Sequence, residues 1–101
     1  MVDIYQYSTT EIIHILGSRV RMYRIRIGLT QKELSERAGI SIPTLQAFEG
    51  GNNNDMSLTT LLRILRVLGQ LDGVNSLLPD IPDSPYNLRD GETPIKRIRH
   101  K

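Results

Sequence analysis

The 101-residue chain predicts an all-α fold, a bundle of five helices, and three observations carry that prediction. Hydroxyl and carboxylate residues stand three apart at Ser8/Glu11 and Thr30/Glu33, the capping-box spacing in which each side chain satisfies the other residue's backbone N–H. Behind those caps Leu, Ile and Val recur at three- and four-residue intervals, the period of one helix face. Glycines close the periodic runs at 28, 39, 50–51 and 69, where helices commonly end in a left-handed residue.

The first helix opens at Ser8, carries Ile13, Leu16, Val20, Tyr23 and Ile27 as its inward face, and stops at Gly28. The second opens at Thr30, turns Leu34 and Ala38 inward and stops at Gly39. Ile40 is then a buried turn residue. Ser41 caps a third helix, and Pro43 falls in its first turn, where a missing N–H costs little. Leu45 and Phe48 form its inward pair. Gly50-Gly51 closes it, and residues 52–55 (Asn-Asn-Asn-Asp) form a loop. Ser57 caps a fourth helix whose face is Leu58, Leu61, Leu62, Leu65 and Leu68. Residues 72–78 form a short fifth helix with Val74, Leu77 and Leu78 apolar. Residues 4–7 fit either a short strand or an unstructured lead.

Pro79, Pro82 and Pro85 disfavour further helix and predict an extended or irregular connector. Past Asp90-Gly91 there is too little apolar content for independent folding. The chain thus divides into a lead (1–8), a helical domain (9–79), and an acidic connector with a basic tail (80–101). Charge follows the same division. Residues 1–71 carry eight basic and six acidic side chains, 72–93 carry five acids against Arg89, and 94–101 carry four cations.

Composition removes several function classes. There is no cysteine, hence no disulfide scaffold, thiolate zinc site or cysteine nucleophile. No apolar run approaches the roughly 20 residues that span a bilayer, and polar residues interrupt the start where a secretory segment would lie. A cytoplasmic protein without membrane contact is expected. His14 and His100 lie far apart with no metal-ligand or catalytic companion at recognisable spacing, and Gly50-Gly51 lacks the Lys-Ser/Thr of a phosphate loop. No enzyme activity, metal or cofactor is expected. A core this small would gain from pairing with a second copy.

Two short helices joined by Gly39-Ile40-Ser41 between longer ones meet the requirements of a helix-turn-helix. Leu34, Ala38, Ile40, Leu45 and Phe48 close the wedge between them, with small Ala38 at the crossing. The outer face of the third helix is then free to enter a major groove, which is wide enough for one helix.

On these residues the chain resembles a known family. Residues 16–68, and above all GLTQKELSERAGIS followed by LQAFEGG, look like the phage-repressor and Cro-type (XRE) helix-turn-helix domain, lambda-repressor-like in fold. Within it the likeness is greatest to HipB-type antitoxins, through the TQ-x-x-L start, the Phe-Glu ending of the third helix and SLTTLLRIL in the fourth. The resemblance implies a homodimeric repressor of a palindromic operator. For the HipB subset it implies a HipA-like Ser/Thr kinase toxin as partner and autoregulation of a toxin–antitoxin operon.

Carried over by position, Ser41, Ile42, Pro43, Gln46 and Ala47 would contact bases, with Gln46 the best reader because an amide pairs bidentately with adenine. Thr30, Gln31, Lys32, Thr44, Asn52 and Asn53 would contact phosphates, helped at Thr30 and Gln31 by the positive end of a helix dipole. Arg24 and Glu49 match a family ion pair that ties the first helix to the end of the third. Ile42 and Pro43 depart from the polar residues often found there, and they suit thymine methyl groups better than hydrogen-bond readout.

Two further surfaces stand out. Val74, Leu77 and Leu78 are candidates for a dimer seam. Ile25 and Ile27 are apolar where relatives are usually polar, and Met22 lies three residues from Ile25 on one side of the first helix, which makes Met22, Ile25 and Ile27 either a partner surface or a face covered by Tyr5 or Tyr7. The basic tail fits DNA backbone, an acidic partner or a merely solubilising end. Two alternatives to the antitoxin remain: a protein-interaction module on a degenerate helix-turn-helix scaffold, and a stand-alone phage-type regulator.

Overall fold

Every one of the four longer helices begins on a hydroxyl side chain that accepts a hydrogen bond from its own first turn. In a computed structural model, which describes residues 3–53 and 55–82, α1 spans Thr9–Ile27, α2 Gln31–Ala38, α3 Ile42–Glu49, α4 Leu58–Leu68 and α5 Val74–Leu77. Short 3-10 turns at Ile4–Gln6 and Leu71–Gly73 precede α1 and α5, and there is no strand among the described residues. Among the described residues the fold is all-α, with five α-helices. Residues 4–7, for which a strand was one expectation, make a 3-10 turn capped by Asp3 instead.

Both capping boxes form. Ser8 N–H donates to Glu11 at 2.8 Å and Glu11 N–H to Ser8 Oγ at 3.1 Å. The same reciprocal pair joins Thr30 and Glu33 at 2.8 and 3.0 Å. These two bonds hold the Glu33 carboxyl below its ordinary pKa, the backbone bond from Thr30 contributing most. At the turn between α2 and α3, Gly39 adopts φ +71°, the left-handed conformation that a side chain would disfavour. Its N–H bonds back into α2 while Ile40 N–H reaches Ser35 O at 3.0 Å.

The core consists of Val20, Leu34, Ala38, Leu45, Phe48, Ile64 and Leu68, with Ile13, Leu29, Ile40, Met56, Leu61 and Val67 packed around it. All five wedge residues expected between α2 and α3 are therefore buried or half-buried. The predicted α1 face is rotated, however. Leu16, Tyr23 and Ile27 are exposed, and the interior line runs through Ile13, Gly17, Val20 and Arg24. The period is the same; periodicity of apolar residues alone could not register that a glycine and an arginine occupy inward positions.

Gly17 explains the rotation. A Cβ built there would lie 1.9 Å from the carbonyl oxygen of Phe48, so α1 crosses the end of α3 at a distance only glycine permits. Helix α4 differs in the same way. Ile64, absent from the expected Leu face, is fully buried beside Leu68, whereas Leu58 is exposed. No helix among the described residues is long and apolar enough to cross a membrane.

Candidate nucleic-acid interface

The site is built on a buried ion pair. Arg24, in the last turn of α1, lays its guanidinium along Glu49 at the end of α3: Nε to Oε2 at 2.8 Å and Nη2 to Oε1 at 2.9 Å. Nη1 caps the α1–α2 junction by donating to Leu29 O at 2.9 Å. Only 2% of the Glu49 side chain is exposed. The hydrogen bond from Arg24 to Glu49 holds the guanidinium above its already high pKa, against the opposing effect of burial. A two-pronged charged contact of this kind fixes orientation as well as distance. It locks α3 to α1 at the end opposite the turn.

Glu49 then orients two amides in series. Gln31 Nε2 donates to Glu49 Oε1 at 3.1 Å, and Gln46 Nε2 donates to Gln31 Oε1 at 3.3 Å. A carboxylate accepts only, so Gln31 must turn its NH2 inward and its oxygen outward. Gln46 must in turn offer an N–H to that oxygen. What Gln46 keeps is its second N–H and its own Oε1. Those are the donor and acceptor that adenine N7 and N6 require in the major groove.

The remaining surface of α3 is shallowly exposed. Ser41, Ile42, Pro43 and Gln46 are exposed, and Thr44 and Ala47 are half-buried. Ser41 O–H donates to Thr44 Oγ1 at 2.7 Å while its Oγ accepts Thr44 N–H at 3.2 Å, so both hydroxyls are tied to the helix start. Across from it lies the start of α2. Thr30 N–H and Glu33 N–H are consumed by the capping box, which leaves the backbone amides of Gln31 and Lys32 as the open donors there. Gln31 also keeps one side-chain N–H. Lys32 is exposed beside them.

The loop after α3 is drawn tightly against it. Asn52 and Asn53 N–H both donate to Ala47 O, at 2.8 and 3.1 Å, and Asn53 Oδ1 accepts from Asp55 N–H at 2.9 Å. Asn52 is left exposed at the far end of the reading helix, and Asn53 is half-buried with its oxygen occupied. His14 packs over Gly51, with ring atoms 3.6–3.7 Å from where a Cβ would stand.

Thus Thr30, Gln31, Lys32, Gln46 and Asn52 border the α2–α3 unit, while the candidate partner residues lie elsewhere. Met22 and Ile25 are 63% and 51% exposed on α1, and Tyr5, almost fully exposed itself, does not cover them. Ile27 does not join them: at 100° per residue it lies about 140° around the helix from Met22. At the end of α5, Leu77 and the capping Leu78 are 68% and 85% exposed and Val74 is partly so, and α5 forms one wall of an apolar groove of about 370 Å³ with Leu16, Tyr23, Leu61 and Leu65. Sequence reasoning missed Gly17 and the Gln31–Glu49 bond. A glycine inside a helix, costing about 1 kcal/mol against alanine, was the available signal for the first; nothing in the spacing signals the second. The basic tail lies outside the described residues.

Comparison with known proteins agrees with this geometry. A family model described as a helix-turn-helix domain matches residues 15–76, which include all of α2, α3 and α4. A propionyl-CoA carboxylase regulator of Cereibacter sphaeroides is 38% identical over 53 residues, which is 52% of this chain and 11% of that protein. An uncharacterized HTH-type transcriptional regulator of Methanothermobacter thermautotrophicus is 43% identical over 51 residues, covering 50% of this chain and 72% of that protein. No solved structure matches the chain.

Proposed function

The chain belongs to the helix-turn-helix domain family, whose members are DNA-binding transcriptional regulators, and from that premise we propose that it is a sequence-specific repressor acting as a homodimer on a palindromic operator. The observation that carries the reading is the set orientation of Gln46 on an exposed helix face. Gln46 reads adenine; Ile42, Pro43 and Ala47 pack on thymine methyl groups; Ser41 closes the base-contacting set. Thr30, Gln31, Lys32, Thr44, Asn52 and Asn53 hold phosphates, chiefly through the open amides at the start of α2.

Residues 9–79 form the DNA-binding domain, flanked by the lead 1–8 and the connector and tail 80–101. Val74, Leu77 and Leu78 pair two copies and bring their α3 helices to successive major grooves about 34 Å apart. Their exposure supports this seam, since apolar side chains at this density on a small domain are otherwise costly to leave in water. Replacing the three by serine and finding the dimer unchanged in light scattering would remove the seam.

The finer identity we propose is a HipB-like antitoxin that represses its own operon and holds a HipA-like kinase. Its support is the family resemblance together with the exposed Met22 and Ile25 away from α3. Failure of such a kinase to co-purify, or to join the protein on DNA, would leave the repressor without the antitoxin role. Selection of bound duplexes from a randomised pool tests the repressor itself. An inverted repeat with adenine in each half is the expected product, and an unenriched pool contradicts it. That second result would favour a protein-interaction module, for which apolar Ile42 and Pro43 at the front of α3 are the supporting observation.

A further inference from the structure

A basic, apolar stripe on α1 lies where α5 hands the chain on to its acidic segment. Residues 18–28 contain Arg19, Arg21, Arg24 and Arg26 and no acid. Glu49 neutralises Arg24, and the other three occupy exposed positions. Arg19, Met22, Tyr23 and Arg26 share one side of the helix and line a recess of about 240 Å³. Met22 stands two positions from Val20 and two from Arg24, both inward, so it points away from the interior and from α3. The stripe is therefore separate from the reading face.

Leu77 shares the walls of the α1–α4 groove with Arg19 and Tyr23, so the end of α5 lies beside the stripe. Ahead of it in sequence, residues 83–92 carry Asp83, Asp90 and Glu92 against Arg89, with Tyr86 and Leu88 between the acids. The two surfaces are complementary: Arg19 and Arg26 flank Met22 and Tyr23 on the stripe, while three acids against one arginine flank Tyr86 and Leu88 in the segment.

We propose that residues 83–92 dock in cis on the stripe formed by Arg19, Met22, Tyr23 and Arg26. The acids pair with the guanidinium groups, and Tyr86 and Leu88 cover Met22 and Tyr23. Reach is not limiting, because ten residues extend to about 33 Å, whereas Arg19 to Arg26 rises about 10 Å along the helix. The contact is between solvent-exposed charges, so it is weak and sensitive to salt.

The absence of cysteine makes a direct test available. A nitroxide spin label on Ser84→Cys in the full chain should broaden the amide signals of Arg19, Met22 and Arg26. It should lower their intensity roughly two-fold or more relative to the same protein at about 1 M salt, where the screening length falls to about 3 Å. Arg19→Glu with Arg26→Glu should abolish that difference, and adding Asp83→Lys, Asp90→Lys and Glu92→Lys should restore it. The triple Lys variant alone should also abolish it, without touching the helical domain. Broadening that ignores salt and charge reversal overturns the proposal. So does broadening that appears only between labelled and unlabelled copies, which would assign the contact to a neighbouring molecule, and so does a loss of DNA affinity in the double Glu variant with the broadening intact.

Discussion

Gln46 donates to Gln31 at 3.3 Å, and the direction of that bond is inherited from Glu49, which compels Gln31 to present its oxygen outward. A side chain buried at the end of α3 thereby decides which atoms an exposed side chain one turn away offers to DNA. Gln31→Ala should leave the fold intact, since Gln31 is only half-buried, but release Gln46 to rotate. The expected result is a loss of discrimination for adenine of about 1 kcal/mol, within the range of a single readout contact. Competition between matched and adenine-substituted duplexes measures it.

The ion pair itself is structural. Arg24→Ala strands a carboxylate that is 2% exposed, and breaking a buried pair from one side costs about 3–5 kcal/mol. Against a total stability of roughly 5–15 kcal/mol for a domain, that loss should lower the urea midpoint sharply. Replacing both partners, Arg24→Met with Glu49→Leu, should recover most of the stability. The recovered protein should still read adenine poorly, because nothing then sets the Gln31 amide.

Gly17→Ala should be among the most damaging single methyl additions in the chain. The new Cβ meets the Phe48 carbonyl, which belongs to backbone and cannot swing aside. Overpacking typically costs 1–3 kcal/mol, and here about 3 kcal/mol is expected because α1 must lift from α3. Thermal unfolding followed by circular dichroism reports it.

Ser35→Ala should act in the opposite direction. The Ser35 hydroxyl is buried without a hydrogen-bond partner, and alanine removes that unsatisfied group while raising helix propensity. A gain of about 1 kcal/mol in urea unfolding is expected. A loss would reveal that the hydroxyl is satisfied in solution.

The residues that made the fold legible are local ones. Ser8, Thr30, Ser41 and Ser57 cap their own helices, and Gly28, Gly39 and Gly69 end theirs, so element boundaries could be read without tertiary information. The wedge of Leu34, Ala38, Ile40, Leu45 and Phe48 was legible for the same reason, since a two-helix unit dictates its own inward faces. Leu16, Tyr23 and Ile27 were misplaced because the facing of a long helix is settled by what crosses it. Here the crossing partner demands a glycine at 17 and a charge at 24. Ile64 was hidden by richer leucine neighbours that share its helix. The Arg24–Glu49 pair entered through family resemblance, while the Gln31 link that extends it to Gln46 needed coordinates, because residues 31, 46 and 49 meet only after α2 and α3 fold together.

The most direct test is fluorescence anisotropy on the protein's own upstream DNA and on a scrambled duplex, across a salt series, with Gln46→Ala alongside. Selective binding to the upstream duplex is expected, falling steeply with salt through its phosphate contacts. Gln46→Ala should lose about 1–3 kcal/mol of discrimination, the worth of one bidentate pair, while its binding to the scrambled duplex stays unchanged. Equal binding of both duplexes by the native protein, or selectivity that survives Gln46→Ala intact, would contradict it.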